Sequence, residues 1–222
     1  MASAEKNSEL VIEITSDFVC PWCYIGEVRL EKALKQIGPD IKVRRVWRPY
    51  ELNPDMPGGG MDRKEYLTKK FGSAEKLKEI DERLKALGTN DGIDMHPDLI
   101  RISPNTRMAH RAMWLAAKED KADALALLIF KSYFTEGRNI GDADLLAALA
   151  GKVGLDAKAT RLFLAGTEGV EEVKQMEQEA KDRGISAVPF TVIGGTEEMH
   201  GALEVHDIVD SLNTALKLEK AA

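Results

Sequence analysis

Cys20 and Cys23 are the only sulfhydryl residues in this 222-residue chain, and just two residues, Pro21 and Trp22, separate them. That spacing suits two chemistries, half of a metal site or a dithiol/disulfide couple. Structural zinc wants four thiolate or imidazole ligands, and His96, His110, His200 and His206 fall in no ligand-like pair, so no metal is expected. A redox couple instead needs a first sulfur that is stable as a thiolate and a second within reach of a mixed disulfide on the first. The junction from a strand into a helix meets both needs. Free N–H groups and the helix dipole favour a thiolate on Cys20, and Cys23, one turn further in, is the resolving thiol. Pro21 fits the first turn, where its missing N–H costs nothing, and Trp22 offers apolar surface beside the sulfur or simply packs. Asp17, three residues before Cys20, is first of all a turn or cap aspartate. If ionised, it would oppose the thiolate.

The elements that must position these residues follow from periodicity. Residues 10–14, rich in β-branched side chains, form a strand that ends at Thr15-Ser16-Asp17. Ile25, Val28, Leu30, Ala33, Leu34 and Ile37 recur at helical spacing up to the stop signal Gly38-Pro39, so the cysteine motif opens a helix. Residues 41–47 alternate apolar and basic side chains, with one slip in phase, and form a second strand. A strand, helix, strand unit implies a right-handed crossover and parallel pairing. The Pro- and Gly-rich segment 55–60 is the clearest linker.

From 62 to 183 the patterning is helical, over 62–71, 73–88, 104–119, 121–135, 141–153, 155–165 and 168–183. Asp62 and Ser73 are expected N-caps, as is Ser103 with Pro104 at the first helical position; Thr167 with Glu168 starts the last helix, and Gly137 is a C-terminal stop. Strand signals return at 190–193, directly after Val188-Pro189, followed by a turn and a short piece through Met199; a last helix spans 203–218. The expected fold is α/β, a thioredoxin-like fold with a large all-helical insertion domain. The thioredoxin-like domain would be discontinuous, 1–54 with 184–222, and the helical insertion 55–183.

Composition narrows the function. Hydrophobic residues make up 44% of the chain, enough for a sizeable core, while 31 basic and 37 acidic residues with no basic run exclude an electrostatic case for nucleic-acid binding. Residues 1–9 are polar and acidic, and the apolar run after them is too short for a secretory signal. No window approaches the ~18 apolar residues of a membrane helix. A cytoplasmic protein without a membrane segment is expected.

Taken together, the cysteine motif after the first strand, the helical insertion and Val188-Pro189 before the returning strand resemble the DsbA-like thioredoxin superfamily. Phe18-Val19-Cys20-Pro21-Trp22-Cys23-Tyr24-Ile25-Gly26, Tyr50-Glu51-Leu52-Asn53-Pro54, Pro104-Asn105-Thr106-Arg107-Met108-Ala109-His110-Arg111, Tyr133-Phe134-Thr135-Glu136-Gly137-Arg138-Asn139-Ile140 and Gly184-Ile185-Ser186-Ala187-Val188-Pro189-Phe190 are similar to its FrnE branch, a likeness that spans 10–218. The resemblance implies a thiol-disulfide oxidoreductase or isomerase whose helical domain roofs the cysteines. It also implies a cis Val188-Pro189 bond facing them, with substrate contacts from Pro21, Trp22, Val188, Pro189, Asn53, Asn105 and His110, and Thr106 beside them. On the residues alone, Asn53-Pro54 is also a good turn and a mid-helix His110 also a packed core residue. One departure is Met199-His200-Gly201-Ala202-Leu203-Glu204, where a Ser-Gly-Ala-Gln-like loop would be expected.

The same branch holds 2-hydroxychromene-2-carboxylate isomerases and kappa-class glutathione transferases, which carry serine where this chain has Cys20. Two thiols favour electron exchange, with a glutathione-dependent transferase or isomerase as the alternative; a redox-inactive binding module would leave both thiols without a role. No cofactor is expected beyond the redox-active disulfide, with glutathione open as a co-substrate. The expected partners are disulfide-bearing proteins or small thiols, and the resemblance implies a homodimer.

Overall fold

The structure, a computed structural model, describes residues 9–221; the polar stretch 1–8 lies outside the described residues. The chain begins with β1 (Leu10–Ser16), α1 (Pro21–Ile37) and β2 (Val43–Pro49). A two-residue strand β3 (Met61–Asp62) leads into α2 (Arg63–Phe71) and α3 (Ala74–Asn90). After a single 3-10 turn at Pro97–Leu99 and the two-residue β4 (Ile102–Ser103) come α4 (Arg107–Ala117), α5 (Ala122–Phe134), α6 (Ala143–Lys152), α7 (Ala157–Ala165) and α8 (Val170–Asp182). The chain then returns through β5 (Phe190–Ile193), β6 (Glu197–His200) and α9 (Val205–Ala221). This is the expected thioredoxin-like α/β fold with its large helical insertion. Among the described residues, no helix is long and apolar enough to cross a membrane.

The main sheet runs β2-β1-β5-β6, with β1 parallel to β2 and antiparallel to β5. Its register explains the slip in phase. Val43, Arg45 and Trp47 stand opposite Leu10, Ile12 and Ile14, the buried positions of β1, so Arg45 faces inward where the alternation called for an apolar residue. Its guanidinium lies there against the carboxyl groups of Glu27, Glu31 and Asp123.

Two cores result. Leu10, Ile12, Ile14, Leu30, Ala33, Ile193, Met199, Ile208 and Leu212 pack where β1, α1 and α9 meet. The other core joins Phe18, Cys20, Cys23, Tyr24 and Ile25 to residues of the helical part, including Ala109, Met113, Ile129, Phe130 and Phe134. The cysteine helix therefore closes against the helical insertion as well as against the sheet.

Two helix starts and one strand range differ notably from expectation. Ser103 does not cap a helix: it pairs with Met61 in the β3–β4 ladder, and α4 starts only at Arg107, where the Asn105 side chain accepts from the Arg107 N–H at 3.0 Å. The last insertion helix starts at Val170, not beside Thr167, after Gly169 at φ 79°. A Cβ on Gly169 would lie 3.1 Å from the Trp114 ring, so the close approach as well as the dihedral selects glycine. The second strand lies at 43–49 instead of 41–47. Asp62 and Ser73 do cap their helices, accepting from the N–H groups of Glu65 and Lys76. Gly137, at φ 66°, donates to the Tyr133 carbonyl just past the end of α5, as a helix stop does.

Candidate functional site

Cys20 occupies the N-cap position of α1 in extended backbone (φ −90°, ψ 113°), with Pro21 in the first helical turn. Asp17 folds the entry, its main-chain carbonyl accepting from the Cys20 N–H at 3.1 Å. Cys23 lies one turn inside the helix, its N–H donating to the Cys20 carbonyl at 3.1 Å. Both sulfurs are free thiols and both residues are buried. The hydrogen bond from the Cys23 side chain lowers the pKa of Cys20, helped by the N–H groups of Cys23 and Trp22; burial and the charge of Asp17 work against it. Burial pushes the Cys23 thiol well up, and the neighbouring Cys20 sulfur adds to the rise. One helix start thus makes two unlike thiols, a nucleophile and a proton-holding partner.

From the other side, the Val188–Pro189 peptide is cis and the Val188 carbonyl lies 3.7 Å from Cys20 Sγ. Gly26 keeps this approach open, since a Cβ there would lie 3.3 Å from the Pro189 ring. Pro189 is buried, Pro21 and Val188 are half-buried, and Trp22 is 38% exposed beside the cysteines. The chain thus brings Cys20, Pro21, Trp22, Cys23, Val188 and Pro189 together at one place.

The remaining expected site residues are engaged by protein groups. The Asn53 side-chain oxygen accepts from the Tyr66 hydroxyl at 2.5 Å and from Lys70 at 3.2 Å. Asn105 donates to the Met56 carbonyl at 2.9 Å while its side-chain oxygen accepts from the Arg107 N–H. His110 is buried on α4, its Nε2 3.5 Å from Asp17 Oδ1 and its ring centroid 5.3 Å from that of Phe18. Glu51, which the sequence did not single out, is buried and pairs with Arg107 at 2.7 Å.

Sequence reasoning also missed Glu27, four residues after Cys23. Burial raises its carboxyl to about 8, against the pull of Arg45 and with the repulsion of Glu31 and Asp123 added. The inward arginine of β2 was the available signal, since a buried cation requires an acid. A cleft of about 640 Å³ opens between β2 and the helical layer, with Ser16, Phe18, Trp47, His110 and Trp114 among its lining residues. Among the described residues no group of three or more His, Cys, Asp or Glu side chains is arranged to hold a metal ion.

A sequence model of the DSBA-like thioredoxin domain matches residues 11–213. The uncharacterised protein YwbO of Bacillus subtilis is 29% identical over 187 residues, 83% of this chain and 87% of its own length. Among solved structures, a probable DsbA oxidoreductase from Streptomyces coelicolor is 30% identical, with 94% of this chain and 90% of that one aligned at a TM-score of 0.82. A 2-hydroxychromene-2-carboxylate isomerase is 19% identical over 93% of this chain and 94% of its own, at a TM-score of 0.67, a likeness of fold.

Proposed function

We propose that this chain, which belongs to the DSBA-like thioredoxin domain family, exchanges its Cys20/Cys23 dithiol for the disulfide of a protein or small-thiol substrate. The observation that carries the proposal is the asymmetry of the two sulfurs: Cys20 at the helix start, its pKa lowered and its sulfur 3.7 Å from the Val188 carbonyl, and Cys23 behind it as a buried thiol.

Exchange takes two displacements at sulfur. The Cys20 thiolate attacks one sulfur of the substrate disulfide, forming the Cys20–substrate bond as the S–S bond breaks; the leaving thiolate takes up a proton. Cys23 then gives up its proton and attacks Cys20 Sγ, releasing the second substrate sulfur and closing the Cys20–Cys23 disulfide. Two electrons have passed from the protein dithiol to the substrate, and the reverse sequence oxidises a dithiol. In this reading Pro21, Trp22, Val188 and Pro189 contact the substrate, while Asn53 and Asn105 hold the 51–56 loop at the edge of the site.

Reduction of insulin disulfides with dithiothreitol as donor tests the proposal. Cys20→Ser should abolish turnover, and Cys23→Ser should accumulate a mixed disulfide with substrate. Full activity in Cys20→Ser would overturn it. Glutathione-dependent turnover of a small electrophile that survives Cys23→Ser would point to the transferase or isomerase chemistry of the same fold.

A further inference from the structure

The exchange steps leave unused a buried pair directly behind the cysteines. Asp17 is fully buried three residues before Cys20. Its Oδ2 accepts from the Leu52 N–H at 2.7 Å, and its Oδ1 has no hydrogen-bond partner. His110 Nε2, also buried and without a hydrogen-bond partner, lies 3.5 Å from that oxygen. Each unpartnered atom therefore has the other as its neighbour, across the join between the cysteine loop and α4.

A carboxylate held out of water is tolerated where an opposite charge compensates it. Asp17 is not the only acid near this imidazole. Glu51, from the loop after β2, and Glu177, from α8, are both buried, both are raised by that burial, and both feel the charge of His110 among the influences that hold them down. Arg107, three residues before His110 on α4, is the other cation and is committed to Glu51 at 2.7 Å. Acids from three separate elements thus converge on the His110 imidazole, whose Nε2 lies 3.5 Å from Asp17 Oδ1. At the same time, the Asp17 charge is one of the influences that oppose a thiolate on Cys20.

We propose that His110 is a positioning residue for Cys20 that acts through Asp17: as an imidazolium it neutralises the carboxylate behind the cysteine, so α4 of the helical insertion sets how readily the reduced site holds its thiolate. The proposal rests on the thiol-exchange reading. A better-held thiolate stabilises the dithiol form and makes the couple more oxidising, so the helical insertion would tune the redox balance of the cysteines as well as cover them.

The test is thiolate absorbance titration of reduced wild type, His110→Gln, Asp17→Asn and the double variant, paired with equilibration of each against glutathione. His110→Gln should move the Cys20 titration to higher pH and shift the equilibrium about tenfold toward the disulfide, since one pH unit is a factor of ten. Asp17→Asn should move both in the opposite direction, and in that background His110→Gln should have little further effect. A purely structural role would move both single variants the same way, and that outcome, or coincident titrations of wild type and His110→Gln, would overturn the proposal. If His110→Gln does not fold, His110→Asn takes its place in the same titrations, with the same outcomes for and against. Wild type that fails to equilibrate with glutathione or to reduce insulin would sink the exchange reading, while the titrations would still decide the coupling.

Discussion

The two cores do different work. The buried residues of the core between β1, α1 and α9 are aliphatic apart from Met199, with Trp47 packed against them. The core on the other side of the cysteine loop is aromatic and mixed: Phe18 and Tyr24 place their ring centroids 4.8 and 5.3 Å from that of Phe130 on α5, and Phe18 also meets His110. Both cysteines belong to this second core. The thiols are therefore carried on the thioredoxin-like scaffold, and the insertion packs against the loop and helix that hold them. Changes deep in the helices should reach the chemistry, while changes of equal thermodynamic weight behind the sheet should not.

Phe130→Ala gives the largest effect on this comparison. Removing that ring from between Phe18 and Tyr24 should cost roughly 3–5 kcal/mol of stability, and it should also shift the Cys20 thiolate titration and slow insulin reduction. Leu212→Ala, in the α9 core, should cost roughly 2–5 kcal/mol and lower the melting temperature, yet leave the thiolate titration where it was. The pair is read by thermal denaturation and absorbance titration on the same samples. A shift of the thiol titration in Leu212→Ala as large as in Phe130→Ala would erase the distinction between the cores.

What could be read in advance follows the same divide. The strand at residues 10–14, the helix opening at Cys20-Pro21 and the return through Val188-Pro189 are set by local signals, namely β-branched runs, a proline in the first helical turn and helical spacing, and so the fold was legible. The β3–β4 ladder was not, because two residues carry no periodicity and Ser103-Pro104 has the composition of a helix start. The proximity of His110 to Asp17 depends on how α4 docks 93 residues further along the chain, and no spacing within α4 records it. Arg45 lies between these cases. Its place in the inward phase of β2 was visible as an irregularity, but only the docking of α1 and α5 shows that Glu27, Glu31 and Asp123 answer it.

That ionic cluster sits at the seam between the two cores, linking α1, β2 and α5, and it yields the smallest and most specific prediction. Glu27 has a folded-state pKa of about 8 against an ordinary value of 4.5, so between those limits the folded protein holds a proton that the unfolded chain has lost. The contribution is fully present below about pH 4.5 and is lost as pH rises through about 8. Glu27→Gln removes this titration while keeping an acceptor for Arg45, which retains Glu31 and Asp123. Relative to the variant, wild type should therefore lose stability across that window, at up to about 1.4 kcal/mol per pH unit, and the difference should level off above it. Urea denaturation at half-unit pH steps measures this directly. Parallel stability curves for wild type and Glu27→Gln between pH 5 and 8 would mean that Glu27 keeps its charge in the fold, and that the seam between the cores is an ordinary ion pair rather than a proton-holding one.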